Sequence, residues 1–224
     1  MNLINFFDEI NGLSSDRKEK RIRKAQRLEQ LLVIFFNAIY ADIKNGIFTE
    51  NFGRGFYDDT LYNLLLSEMS KDVKSRTGKL EEHITLAAEE IMRTTADVIM
   101  DPETNNVLET KRDSKGRLKD SDIPQKVIDI LGRNRIQTIA ANESLYINNY
   151  SEQQEAVENN KQFKTWNTMR DVRVRPSHRD MDRQTIPIQV PFLVNDSIMM
   201  FPGDTSYGAS PDEIIMCRCW LTYS

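Results

Sequence analysis

Cysteine is nearly absent from this 224-residue chain. There are two, Cys217 and Cys219, and two such neighbours near the C-terminus cannot make a disulfide framework. Their scarcity suits a reducing compartment. A surplus of positive charge is also missing: 30 Lys and Arg stand against 34 Asp and Glu, a net charge of −4. The protein as a whole is therefore not a basic nucleic-acid binder, and any phosphate contact must come from a local patch. Long apolar runs are lacking too. The longest, Leu31 to Phe36, falls far short of the roughly 20 residues that span a bilayer. The first residues, Met1 to Glu9, show no basic region followed by an apolar one, so a soluble chain without a signal peptide is expected. Neither internal repeats nor low-complexity segments occur, and with 39% hydrophobic and 29% charged residues the composition is that of a folded, polar protein.

What is present in the first half is helical periodicity. Ile22, Ala25, Leu28, Leu32, Phe35, Ile39 and Ile43 recur at steps of three and four, which predicts one helix from Asp16 to about Asn45. Ser14 or Ser15 is placed to cap its start and Gly46 to end it. Its first half is dense in charge: Arg17, Lys18, Lys20, Arg21, Arg23, Lys24 and Arg27. Two readings stand, a solvated helix face or a basic arm through which Arg17, Lys20, Arg21, Arg23, Lys24 and Arg27 touch nucleic acid or an acidic partner. The segment from Gly46 to Gly55 reads as a break with two exposed phenylalanines. Further helices are expected from Asp58 to Lys74 and from Lys79 to Met100, with His83 at the surface of the latter. A polar loop or weak hairpin turning at Lys115-Gly116 fills Asp101 to Ser121. Helices then run from Ile123 to Leu131 and from Arg135 to Asn159.

After Lys161 the character changes to strands. One is expected around Phe163 to Val174, others over Ile186 to Val194 and Ile198 to Phe201, and a last over Ile214 to Trp220. Pro187 and Pro191 mark edge or bulged strands. On this reading Asp171, Arg173 and Arg175 alternate on one strand face as an ion-pair network or as a phosphate or partner contact, and Pro202-Gly203-Asp204 is a turn. Cys217 and Cys219 share a strand face, and Glu213 is available to Arg173, Arg175 or Arg218. With His178 the cysteines offer three soft ligands, one short of a structural zinc site unless Asp180 or Asp182 completes it. The alternatives are two buried thiols beside a hydrogen-bonded histidine, or a cysteine nucleophile with His178 as base. The fold class is α+β, an elongated helical N-terminal part over 1–121 followed by a small antiparallel sheet domain with flanking helices over 122–224.

The ordered residues Lys164, Trp166, Thr168, Asp171, Arg173, Val174, Arg175 and His178, then Pro202-Gly203-Asp204, Glu213 and Cys217-Arg218-Cys219, resemble the phage Mu F-like head morphogenesis (minor head protein) family. The likeness runs from about Ile123 to Trp220, with Ile139 to Glu143 and Tyr150 matching an upstream helical segment. Two departures stand out: Ala141 where the family often has arginine, and Asp182-Arg183 in place of an Asp-Gly turn. The resemblance implies a structural virion protein of a tailed phage, a minor head protein that meets portal, scaffold or capsid proteins and copies of itself. It implies packaging in the capsid, at or near the portal vertex, after assembly in the host cytoplasm, and contact with packaged DNA during its delivery. No membrane partner and no cofactor are expected, zinc at Cys217, Cys219 and His178 being the exception. The rival reading is a nuclease-like or ADP-ribosyltransferase-like effector carried in the capsid, with Asp171, Arg173, Arg175, His178 and Glu213 handling phosphate. Against it, the chain has no glycine-rich phosphate loop, no Ser-Thr-Ser strand and no Glu-x-Glu pair.

Overall fold

A computed structural model of the chain describes residues 3–10, 12–73, 78–100 and 113–224. In chain order the helices are α1 (Leu3–Asp8), α2 (Ser15–Asn45), α3 (Phe48–Gly53), α4 (Phe56–Met69), α5 (Gly78–Ile99), α6 (Gln125–Ile130) and α7 (Arg133–Glu158). There follow β1 (Phe163–Asn167), α8 (Pro176–Met181), β2 (Thr185–Pro187), β3 (Phe192–Val194), β4 (Ser197–Met199), α9 (Pro211–Ile214) and β5 (Trp220–Tyr223). The fold is α+β, and no helix among the described residues is long and apolar enough to cross a membrane.

The chain packs as two compact units. One gathers residues 1–28, a short stretch beginning at Asp72, and 137–224; the other holds 29–71 and 76–136. This division differs from a boundary near residue 121. The reason is that α2 and α7 are long: each gives one part to either unit, so nearness in sequence is not nearness in space.

The second unit is built on helical stripes. Leu32, Phe35, Ile39 and Ile43 of α2, Leu61, Leu65 and Met69 of α4, and Leu80, Ile84, Ala88, Ile91 and Ala96 of α5 are all buried. Burying each large apolar side chain is worth about 1.5–3 kcal/mol. Gly46, at φ +78°, ends α2 where a left-handed residue is required. The segment after it is not an open break: it forms α3, and Phe48 is buried and stacked on Tyr57 with centroids 5.2 Å apart. His83 is likewise buried, not a surface residue, because it sits on the inward stripe of α5. Arg135 ties three helices of this unit together. Its guanidinium donates to the Ile91 and Ile130 carbonyls at 2.9 and 3.0 Å and to the Thr94 and Thr95 hydroxyls at 2.7 Å. The turn expected at Lys115-Gly116 is present: the Asp113 carboxylate accepts from the Lys115 and Arg117 amides, and Gly116 has φ +75°. No strand flanks it among the described residues, and the start of that loop, 101–112, lies outside them, as does the expected helix end at Lys74.

The first unit is organised by α7 and a three-stranded antiparallel sheet of order β2-β1-β5, with Phe163 opposite Pro187 and Asn167 opposite Trp220. Strands β3 and β4 form a separate hairpin whose two-residue turn starts at Asn195 with φ +53°. The inward side of α7 is strongly polar. Ser144 donates to the Arg21 carbonyl at 2.8 Å, Asn149 to the Pro202 carbonyl at 2.6 Å and Gln153 to the Ile188 carbonyl at 3.1 Å. Asn149 and Gln153 thereby satisfy loop carbonyls, whose burial without a partner costs about 1–3 kcal/mol each, while Ser144 adds a second bond to a carbonyl within α2.

The basic stretch of α2 belongs to this interior. Ser14 caps the helix by accepting from the Arg17 amide. Arg21 is completely buried, donating to Asn149 Oδ1 at 2.6 Å and lying 3.3 Å from Glu152. Arg17 donates to the same carboxylate at 3.0 Å, and buried Lys24 pairs with Asp72. Burial disfavours charge on Glu152, but Arg21 and Arg17 outweigh it and hold its carboxyl below the usual range. Arg21 and Lys24 are thus withdrawn from any nucleic-acid surface, while Lys20, Arg23 and Arg27 remain exposed. At Gly12 an added Cβ would fall 1.7 Å from the Trp220 ring, so the segment before α2 lies against β5.

Candidate functional site

Two short helices, one irregular segment and one strand of the first unit bring the scarce residues together. Pro176 sets the first turn of α8 and places His178 facing inward, 1% exposed. Ser210 caps α9 by accepting from the Asp212 amide, and that helix presents Glu213. The chain then turns at Met216, φ +54°, so Cys217 and Cys219 lie in an irregular segment ahead of β5 and not on a strand. Both are nonetheless buried on one side of it. His178 Nδ1 lies 3.3 Å from Cys219 Sγ and 3.5 Å from Cys217 Sγ. The other ring nitrogen, Nε2, is 2.9 Å from Glu213 Oε2, and the Ser177 hydroxyl donates to the same oxygen at 2.8 Å. Trp166 on β1 closes the cluster, its ring edge-on to His178 with centroids 5.5 Å apart and also against Phe192 at 5.1 Å.

The electrostatics follow from this packing. Burial works against a charged His178, yet the hydrogen bond to Cys217 and the charge there prevail and raise its pKa. Burial also opposes a thiolate at Cys217; the Cys219 thiol and His178 reverse that and lower its pKa. Cys219 is raised, first by burial and then by Cys217 beside it, while the Trp166 indole N–H works the other way. The two sulfurs therefore share a single favourable position for negative charge.

The remaining residues of the motif do other jobs. Asp171, Arg173 and Arg175 do not alternate on a strand. They form a turn, with Asp171 Oδ1 accepting from the Arg173 amide and Val172 91% exposed at the tip, which a half-buried strand would not allow. Asp171 accepts from Arg218 Nη1 at 2.6 Å, Arg173 pairs with Glu9 at 2.8 Å, and Arg175 donates to the Ile215 carbonyl. Glu213 pairs with His178 instead of an arginine. Asp182 does not approach the sulfurs: it accepts from the Thr168 amide and hydroxyl at 2.9 and 3.0 Å and from Arg170 at 2.7 Å. Asp180 is exposed. The residues considered for phosphate handling are therefore split. A shallow cavity of about 440 Å³ does open beside Asp171, Arg173 and Arg218, but Asp8 and Glu9 line it as well, and this mixture of signs does not suit an anion.

Several positioning residues leave no signal in the sequence. Glu9, Glu152 and Asp72 become partners only through the fold, more than 40 positions away from the cations they meet. Lys164, which the ordered motif does include, is fully buried, donates to the Met200 carbonyl at 2.7 Å and sits 5.3 Å over the Phe192 ring. Asp204 is also fully buried, its carboxylate accepting from the Met200 and Ser206 amides at 2.7 and 2.9 Å and fixing the turn at Pro202-Gly203. The Ala141 side chain is buried, so an arginine there would need a different local packing.

Helix α7, the inward-facing motif and the small sheet up to Thr222 all fall within a stretch that a known family covers. The model of the family described as Phage Mu protein F like protein matches residues 66–222. The chain belongs to that family. Neither a curated protein nor a solved structure matches it. Membership makes it a phage head protein that works together with other proteins of the head.

Proposed function

We propose that the chain is a low-copy minor head protein that docks on portal, scaffold or capsid proteins during assembly, stays inside the particle near the portal vertex and takes part in genome delivery. The match over residues 66–222 carries this reading. Two features support it. First, His178, Cys217 and Glu213 are at most 7% exposed, so the motif fastens the protein's own segments and offers a substrate no approach. Second, the second unit carries an open groove of about 930 Å³ between α2, α6 and the start of α7, lined by Val33, Ile34, Tyr40, Ile128 and Ile136. Ile34 is 67% exposed there, the kind of apolar surface that a protein partner covers.

Cross-linking and quantitative mass spectrometry of assembled particles test the reading. A few copies per particle, joined to portal or neighbouring head proteins, are expected. Absence from particles, or abundance equal to the capsid lattice, would overturn it. Contact with packaged DNA would fall to the exposed Lys20, Arg23 and Arg27. Replacing these three by glutamine should lower the salt dependence of DNA retention by about one unit of slope per cation removed. Unchanged retention removes DNA contact by this stretch.

A further inference from the structure

We propose that His178 Nδ1, Cys217 Sγ and Cys219 Sγ bind one zinc ion, which clamps the segment ahead of β5 onto α8. The three side chains are the group of potential metal ligands that converges within 4.8 Å among the described residues.

Distances fit a shared metal, and the number of sulfurs at one nitrogen argues for it over a simple hydrogen bond. Tetrahedral zinc with Zn–N near 2.05 Å and Zn–S near 2.3 Å separates nitrogen from sulfur by about 3.6 Å. The two separations here are 3.3 and 3.5 Å. A single imidazole lone pair can accept only one thiol proton well, yet both sulfurs crowd the same nitrogen. The opposite ring nitrogen lies 2.9 Å from a Glu213 carboxylate oxygen, without hydrogen-bond alignment, and the nearby carboxylate favours a proton on Nε2, which leaves the Nδ1 lone pair for a metal. Ser177 in turn holds Glu213. The buried indole N–H of Trp166 has no oxygen acceptor and lies beside Cys219, where it can donate to a metal-bound sulfur.

Charge balance points the same way. Binding releases one proton from each thiol, so the +2 ion, two thiolates and a neutral imidazole together carry no net charge, and the Glu213 carboxylate beside Nε2 is the one further acid at the site. No fourth His, Cys, Asp or Glu joins the group among the described residues, so the chain supplies three of the four ligands of a tetrahedral site. The ion would join segments about 40 positions apart, in a unit whose strands are only three to five residues long.

The test uses the full-length chain, produced in zinc-supplemented medium and purified without a metal-affinity column. Elemental analysis should find about one zinc per chain, and cobalt(II) substitution should give an intense sulfur-to-cobalt absorption in the near ultraviolet. Cys217→Ser with Cys219→Ser should abolish both, and Glu213→Gln should weaken zinc binding by about 10–100-fold while leaving the three ligands in place. Should the serine variant not fold, thiol titration of the native wild type decides: both thiols should resist modification until a chelator is added. A folded wild type that takes up no zinc and whose thiols react equally with and without chelator would overturn the proposal. So would zinc retained undiminished in a folded serine variant.

Discussion

The two units of this molecule are held together by different physics. The unit built on 29–71 and 76–136 closes over apolar helical stripes, with half-buried Arg135 tying three helices and only Glu68, His83 and Thr95 as buried polar side chains among its described residues. The other, which joins 1–28 to 137–224, buries Arg21, Lys24, Lys164, His178, Asp204, Glu213 and Arg218. Apolar packing tolerates many sequences of similar volume, whereas buried charges and hydrogen bonds must each meet a specific partner. That contrast explains where the family's motif residues lie. Trp166, Asp171, Arg173, Arg175, His178 and Arg218 are all spent on contacts within the first unit.

The sharpest way to break the comparison is to remove one buried charge. Arg21→Ala should destabilise the protein by about 3–5 kcal/mol in urea unfolding, because Glu152 and Asn149 lose a completely buried partner. Leu61→Ala in the second unit, a cavity mutation at a fully buried position, should cost about 2–5 kcal/mol with no dependence on salt or pH. Equal salt and pH responses of the two variants would erase the distinction.

A smaller effect is expected at Lys164. Burial pushes its pKa down to about 8, with Asp204 opposing only in part. Between that value and the ordinary lysine pKa of about 10.4, the unfolded chain holds a proton that the folded chain has released. Stability should therefore rise with pH across this window, by on the order of 1–3 kcal/mol. In Lys164→Met the rise should vanish, as followed by thermal unfolding from pH 7.5 to 10.5. A wild type as flat as the variant would contradict the burial of this amine.

The smallest effect concerns Arg183, which adopts φ +67° where the family's Asp-Gly turn would supply glycine. Its exposed side chain contributes little, so Arg183→Gly should be neutral to stabilising by about 0.5–1 kcal/mol. A loss of stability would show that the arginine makes a contact worth more than the relieved backbone strain.

How much of this was legible beforehand follows the same contrast. The spacing of Leu32, Phe35, Ile39 and Ile43 foretold α2 to within a residue at either end, since helix packing leaves its period in the sequence. The grouping of His178 with the cysteines was legible from the rarity of these residue types, although not by the route expected. Met216 at positive φ and the helix begun by Pro211 break the strand, and the sulfurs converge from a loop. Alternation over Asp171 to Arg175 misled because the segment is a turn closed by the Asp171 carboxylate, with Val172 exposed and Val174 buried. The fate of Arg17 to Lys24 was not legible. Charges on a helix look solvated until the fold brings Glu152 and Asp72 to them from distant parts of the chain.

The most direct measurement is a double-mutant cycle on Arg21→Met and Glu152→Gln, read by urea unfolding at pH 7 and repeated in acid. Glu152 has a folded pKa below its unfolded one, so its contribution is fully present above the ordinary glutamate pKa of about 4.3 and fades as pH falls through the lowered value. A coupling of about 1–3 kcal/mol at pH 7 that disappears in acid is the predicted result. Coupling indistinguishable from zero at pH 7 would mean that α2 does not fasten to α7, and the first unit would lose its frame.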